Sequence, residues 1–248
     1  MNGSGLQIAI DVPDTVTTAL ADRSVAGSVC LEAGAGVGNT TAGLLEAGAA
    51  RVYGVTNDSD HAKLVHERVV RDNGNRAVVL EADLRCLPLA TDSVALITAH
   101  GLFNVLPPAS LETVATELTR VATPGCHLVI DDYEPLPPNA AVRDLFALEN
   151  AAAELVTGRP ALTFYPAAVL RRLFVGHGWE FDREQTLLDP VPWTENHLES
   201  HAAVTRAMAS NVSTALEASI TEAADNLVRT IGSESVGEMY SLALRLPG

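Results

Sequence analysis

The chain has 248 residues, 47 % hydrophobic and only 4 % aromatic, with a formal net charge of −15. That length suits a single domain, 1–248, with a core filled by Ala, Val and Leu. The acidic balance disfavours a nucleic-acid partner, and no apolar run approaches the roughly 20 residues needed to cross a bilayer, so no membrane partner is expected.

Met1–Ile10 has neither the basic start nor the apolar stretch of a secretory leader. Cys30, Cys86 and Cys126 follow no metal or disulfide spacing, and Cys30 and Cys126 sit in or beside apolar runs. Together these features imply reduced packing thiols in a cytoplasmic protein.

The first strong signal is the apolar run Val29–Leu31, which ends in Glu32 and is followed by Gly34, Gly36 and Gly38 at alternate positions. A helix opens near Thr40. A glycine loop between strand and helix lets the backbone approach a ligand closely, at a helix N-terminus that favours anions or polar groups. Arg51–Val55 reads as a second strand. Asp58 or Ser59 then caps a helix whose apolar positions include Leu64, Val65 and Val69 and which closes at Gly74. Ala77–Leu80 and Val94–Ala99 are the third and fourth strands. Leu111, Val114, Ala115 and Leu118 form a helical stripe that stops at Pro124-Gly125, and His127–Ile130 is the fifth strand. Strands alternating with helices predict a parallel sheet covered on both faces.

Pro135, Pro137 and Pro138 interrupt this rhythm. A helix from about Asn139 to Thr157 ends at Gly158, and Pro166 opens another through Leu170, Leu173 and Phe174. Trp179–Leu187 is a sixth strand, and Glu238–Leu246 alternates as a last, antiparallel one. Between these two lies a long piece, 189–237. Its second half aligns Leu216, Ile220, Ala223, Leu227 and Ile231 on one helical face, with Thr214 and Glu217 as a capping box and Gly232 as the stop. Residues 135–165 read as a lid segment. The helical insertion 189–237 either covers the site or makes a partner interface, such as that of a homodimer.

The loops carry the chemistry. The stretches EAGAGVGNTT, EADLRCLPLATDSVALITAHGLFNVLP and LTRVATPGCHLVIDDYEP, in this order, resemble the motifs of the class I S-adenosylmethionine-dependent methyltransferases over about Val29 to Leu187. HGLFNVLP is most similar to the small-molecule "type 11", quinone-biosynthesis-like branch. The resemblance implies an α/β, doubly wound, mostly parallel, seven-stranded Rossmann-like sheet with helical insertions. It also implies S-adenosylmethionine as cofactor and methyl transfer to a small-molecule acceptor by in-line displacement. By the same resemblance Gly34, Gly36 and Gly38 form the loop against the methionine and ribose. Glu32 lies near the amino-acid and sulfonium region. Asp83 accepts from the adenine amine, and the Leu84 N–H reaches a ring nitrogen.

At the end of strand two the family carries an acidic residue for the ribose hydroxyls, whereas this chain has Thr56. Either Thr56 and Asn57 supply neutral hydrogen bonds there, or Asp58 reaches back. Catalytic candidates are His100, which also borders the cofactor, with Asp131 and Tyr133 at the end of strand five. A base is needed only for an acceptor protonated at working pH.

Other readings are weaker. Asn39 and Thr56 stand where a nicotinamide fingerprint wants glycine and an acid, and G-K-[ST] is absent, which removes a P-loop. His197 and His201 are four apart but lack the H-E-x-x-H order, so no metal is assigned. A non-catalytic cofactor-binding or assembly subunit of the same fold is the alternative, and a nicotinamide-dependent reductase a more distant one.

Overall fold

Apolar segments separated by turns become strands, and the order in which they pair decides where a crevice opens. The computed structural model describes residues 12–248; Met1–Ile10, where the sequence reading expects no leader, lies outside them. Strands β1 (Val29–Ala33), β2 (Arg51–Thr56), β3 (Ala77–Glu81), β4 (Val94–His100) and β5 (Ala122–Tyr133) pair in parallel. The later strands β6 (Glu180–Leu188) and β9 (Met239–Arg245) pair antiparallel. All seven form one sheet in the order β3-β2-β1-β4-β5-β9-β6. This is the mostly parallel, doubly wound Rossmann-like sheet that the sequence predicts, with its last strand antiparallel as expected.

Side chains alternate across the sheet and bury both faces. Leu31, Ile97, Leu128 and Ile130 pack on α5 (Leu111–Val121) and α7 (Ala167–Gly176), through Val114, Leu118, Leu170 and Phe174. On the other face Cys30, Val52, Leu96 and Val129 meet α1 (Asp14–Leu20) and α2 (Asn39–Glu46) through Val16, Ala19 and Leu44. The three threonines of α1 make it a poor helix on propensity; burial of Val16, Ala19 and Leu20 overrides that. Cys30 and Cys126 are buried free thiols, and burial pushes both up to about 12.

Asp58 caps α3 (Ser59–Val65), accepting the Asp60 and His61 N–H groups at 2.8 and 3.0 Å. The helix continues through a π turn, His66–Val70, into α4 (Arg71–Asn73), and Gly74 closes it at φ 53°.

Two expectations need correction. Strand β5 begins at Ala122, so Pro124-Gly125 lies inside it rather than before it. A bulge between the pairs Val94↔Ala122 and Leu96↔His127 absorbs these residues, with Gly125 at φ 84°. Thr214 and Glu217 do not form a capping box, because Ser213 is the N-cap of α9 (Thr214–Ile231) and its side chain makes no cap bond. The capping box starts α8 (Glu195–Ala209) instead: Thr194 accepts the His197 N–H at 3.4 Å, and His197 Nδ1 accepts the Thr194 N–H at 3.3 Å.

The lid segment and the insertion meet as one helical cap. Helix α6 (Val142–Thr157) packs on α8 and α9, while β7 (Pro192–Trp193) pairs with β8 (Glu234–Ser235) at the base. Glu234 accepts the Ala141 and Val142 N–H groups at 3.0 and 2.8 Å, satisfying the start of α6. Ile220 and Ala224 are the buried residues of α9, whereas Leu216 stays 39 % exposed. Among the described residues no helix is long and apolar enough to cross a membrane.

Thr194→Ala is expected to cost about 1 kcal/mol of unfolding free energy through the lost cap, while Thr214→Ala should change it by no more than a few tenths. Urea denaturation of the two variants checks both.

Candidate active site

Strand order reverses between β1 and β4, and open α/β sheets bind ligands beyond the carboxyl ends of the strands at such a point. The loop after β1 is tied to β2 by the Gly34 and Ala35 N–H groups, which donate to the Val55 carbonyl at 2.9 and 2.8 Å. All three loop glycines have positive φ, but they differ in what surrounds them. A Cβ on Gly34 would meet Leu102 Cδ1 at 2.8 Å, and one on Gly38 would meet Val69 Cγ2 at 3.0 Å. These two serve packing. A Cβ on Gly36 meets nothing closer than the Gly34 carbonyl at 3.9 Å, so the space at this glycine is free of packed side chains.

Beside that loop the sheet ends in a buried polar row. Glu32 is 3 % exposed and accepts the Thr41 hydroxyl from the first turn of α2. Burial pushes its carboxyl up to about 7, against the Thr41 bonds and the nearby His100, which lower it. His100 and Asp131 are register partners on β4 and β5, with Nδ1 3.3 Å from Oδ2. Burial opposes the charged imidazole, but the Asp131 hydrogen bond and the carboxylates of Asp131, Glu32 and Asp132 outweigh it and raise the His100 pKa. Ser241 of β9 lies opposite Asp131, and Arg183 of β6 donates to its hydroxyl at 3.4 Å. Asp131 Oδ1 is buried with no partner among the described residues.

Adjacent residues of a strand point to opposite faces, so Asp132 turns away from Asp131. Its oxygens accept the Asn104 N–H at 3.1 Å and the Tyr133 N–H at 2.9 Å, and burial pushes it up to about 6. The two aspartates therefore point apart. Tyr133 does not join His100 either. Its ring packs in the cap against Trp193 and Phe164, with centroids at 5.2 and 6.3 Å, and burial pushes its hydroxyl up to about 12.

At the far end of the crevice Thr56 is buried, and its hydroxyl accepts the Asp58 N–H at 3.2 Å. Asp58 is engaged as the α3 cap, while Asn57 is exposed. Asp83 is exposed and forked by Arg85, with Nε 3.0 Å from Oδ1 and the terminal nitrogen 2.6 Å from Oδ2; that bond holds its carboxyl below the usual range. Leu84 beside it is buried. Arg120, in the phrase LTRVATPG, pins the following loop by donating to the Leu87 and Leu89 carbonyls at 3.0 and 2.9 Å. Sequence reasoning misses these roles of Arg85 and Arg120. An acid two residues from an arginine, and Arg120 three residues after Glu117, are the available signals.

His197 is used in the α8 capping box, and His201 Nδ1 lies 2.7 Å from Glu149 on α6. Both histidines thus hold the cap together.

Comparison with known proteins gives this geometry a context. A model described as "Methyltransferase domain" matches residues 30–125, which include the glycine loop, Asp83 and His100. An uncharacterized methyltransferase of Geobacillus kaustophilus (strain HTA426) is 30 % identical over 141 residues, covering 57 % of this chain. The chain spans 59 % of that relative's length. A solved structure from Bacillus halodurans C-125, described as a methyltransferase, superposes at TM-score 0.65 with 14 % identity, over 95 % of this chain and 100 % of its own. Geranyl diphosphate C-methyltransferase from Streptomyces coelicolor A3(2), solved with Mg2+, geranyl diphosphate and S-adenosyl-L-homocysteine, superposes at 0.60 with 14 % identity. That match covers 94 % of this chain and 76 % of the other. Residues 30–125 thus match a methyltransferase domain, and the sheet has the fold of solved methyltransferases; the type 11 branch is compatible with these matches.

Glu32 titrates higher in the folded chain than its ordinary 4.5, so the folded state holds that proton more tightly. Its contribution is most favourable below pH 4.5 and is lost as pH rises to about 7. Glu32→Gln should therefore stabilise the ligand-free protein by about 2 kcal/mol near pH ~8, with the gain vanishing toward pH ~4.5. Denaturant midpoints across that range measure it.

Proposed function

We propose that this protein transfers a methyl group from S-adenosylmethionine to a small-molecule acceptor by in-line displacement. The observation that carries the reading is the glycine loop after β1, where a Cβ on Gly36 would meet no side chain, following directly on the strand that holds the buried carboxylate of Glu32. A cationic, backbone-contacting ligand suits that combination: the glycine admits close approach, and the carboxylate gains a counter-charge in a low-dielectric site. The domain match over residues 30–125 supports it, as does a fold neighbour solved with S-adenosyl-L-homocysteine.

In this reading Glu32 faces the amino-acid end, and Gly34, Gly36 and Gly38 shape the loop around it. Thr56 and Asn57 offer neutral partners to the ribose hydroxyls, since Asp58 is occupied as a helix cap. Asp83 and the Leu84 N–H face the adenine, and Asp83 keeps Arg85 as its neighbour. The cofactor supplies an activated methyl group, so the protein's work is alignment and exclusion of water. His100 takes the proton of a hydroxyl acceptor, with Asp131 orienting the ring through Nδ1 and leaving Nε2 for the acceptor. The cap of α6, α8 and α9 shapes the acceptor space. The exposed Val204 and Leu216 on α8 and α9 are where a homodimer contact would form.

A second reading, a non-catalytic cofactor-binding subunit, draws on Thr56, which is neutral where the family has an acid. Binding without turnover against a broad acceptor panel would favour it.

Titration calorimetry with S-adenosylhomocysteine tests the first requirement, and absence of heat from folded protein at high micromolar ligand would sink it. Asp83→Ala is expected to weaken that binding by about 1–3 kcal/mol through the lost adenine bond. Gly36→Val should abolish it by filling the space at this loop, with the melting temperature reporting that the fold survives.

A further inference from the structure

We propose that His100 and the cationic cofactor compete for one buried set of carboxylates, so that a cation entering the crevice expels the proton of His100. The inference rests on the S-adenosylmethionine reading above.

The geometry carries it. Asp131 is 3 % exposed and lies 3.3 Å from His100 Nδ1, with its second oxygen buried and unpartnered among the described residues. Glu32 pairs with Thr98, two residues before His100 on the same strand, so Glu32 and His100 share one face of the sheet. Asp132 adds its charge from the opposite face of β5. Beyond Asp131, Arg183 reaches Ser241, but its Nε is 3.2 Å from Asp22 on the outer side of the row. Helix α2 brings the neutral hydroxyls of Thr40 and Thr41, and α1 brings the Ala19 carbonyl, which Arg183 binds. Among the described residues, the charged groups on the His100 face are therefore Glu32 and Asp131, with Asp132 acting through the sheet and Arg183 a cation behind them.

An imidazolium here is stabilised by the same carboxylates that a sulfonium would use. Two cations side by side in a water-poor crevice repel, and the imidazole proton is the charge most easily released near neutrality. Burial raises Glu32, and the surrounding carboxylates raise His100 by favouring its protonated form, so a cation placed among those carboxylates acts against that proton. Release leaves His100 neutral, the form that can accept a proton from a hydroxyl. S-adenosylhomocysteine carries the same ammonium and carboxylate but no sulfonium. The difference between the two ligands isolates that one charge.

The test is calorimetric and needs no acceptor. S-adenosylmethionine and S-adenosylhomocysteine are titrated near pH ~7 into the wild-type protein and its Glu32→Gln variant in two buffers of different ionisation enthalpy, which yields the protons exchanged on binding. In a Glu32→Gln background, which removes the other carboxyl raised to near neutrality, S-adenosylmethionine is expected to release more protons than S-adenosylhomocysteine, by up to about one, and adding His100→Gln should erase the difference. With Asp131→Asn added to the same background instead, which keeps the imidazole but removes its neighbouring charge, the pH at which the difference is greatest should move down. Equal proton counts for the two ligands in that background overturn the proposal, as does a difference that persists when folded protein also carries His100→Gln or an unmoved pH dependence with Asp131→Asn. Failure of both ligands to bind the wild-type protein overturns the S-adenosylmethionine reading itself, and this inference with it.

Discussion

A carboxylate held out of water at the edge of a parallel sheet is the constraint around which this protein is arranged. Glu32 is the next-to-last residue of the buried strand β1, and an ionised carboxyl there is costly unless hydrogen bonds or a counter-charge offset it. Thr41 supplies one bond because α2 starts immediately after the glycine loop. Thr40 and the nearby His100 also offset its burial, and His100 in turn meets Asp131, with Ser241 and Arg183 beyond. The row runs along the carboxyl ends of the strands, the rim that also carries the Gly36 loop. Structure and proposed chemistry meet at that point.

The helical cap is joined to the same strand ends. Asn104 gives its N–H to Asp132 and its carbonyl to the Thr163 N–H at 2.7 Å, linking the loop after β4 to the lid segment. Tyr240 on β9 donates to the Tyr165 carbonyl at 2.9 Å. Inside the cap, Phe146, Trp193 and Phe164 fill the space between α6 and the insertion, while Glu149 and His201 tie α6 to α8. Movement of the cap would therefore act on Asp132 and the β5 end, next to His100. The cap is built from residues that the methyltransferase-domain match does not reach, because the match ends at residue 125.

Much of this protein is legible in local patterns of its sequence. Alternating strands and helices, the Asp58 cap, the closing Gly74 and Gly158, and the final antiparallel strand all depend on neighbours within a few residues. The glycine loop and Glu32 are readable for the same reason. Tertiary structure alone decided the rest. It separated Gly36 from its packing neighbours Gly34 and Gly38, aimed Asp131 and Asp132 at opposite faces, and drew Tyr133 into the cap. It also gave α9 a different N-cap and kept Pro124-Gly125 inside a bulged strand. These outcomes turn on contacts such as His100–Asp131 and Glu149–His201, whose members lie 31 and 52 residues apart. Sheet register and helix packing create those contacts, and neither periodicity nor turn chemistry encodes them.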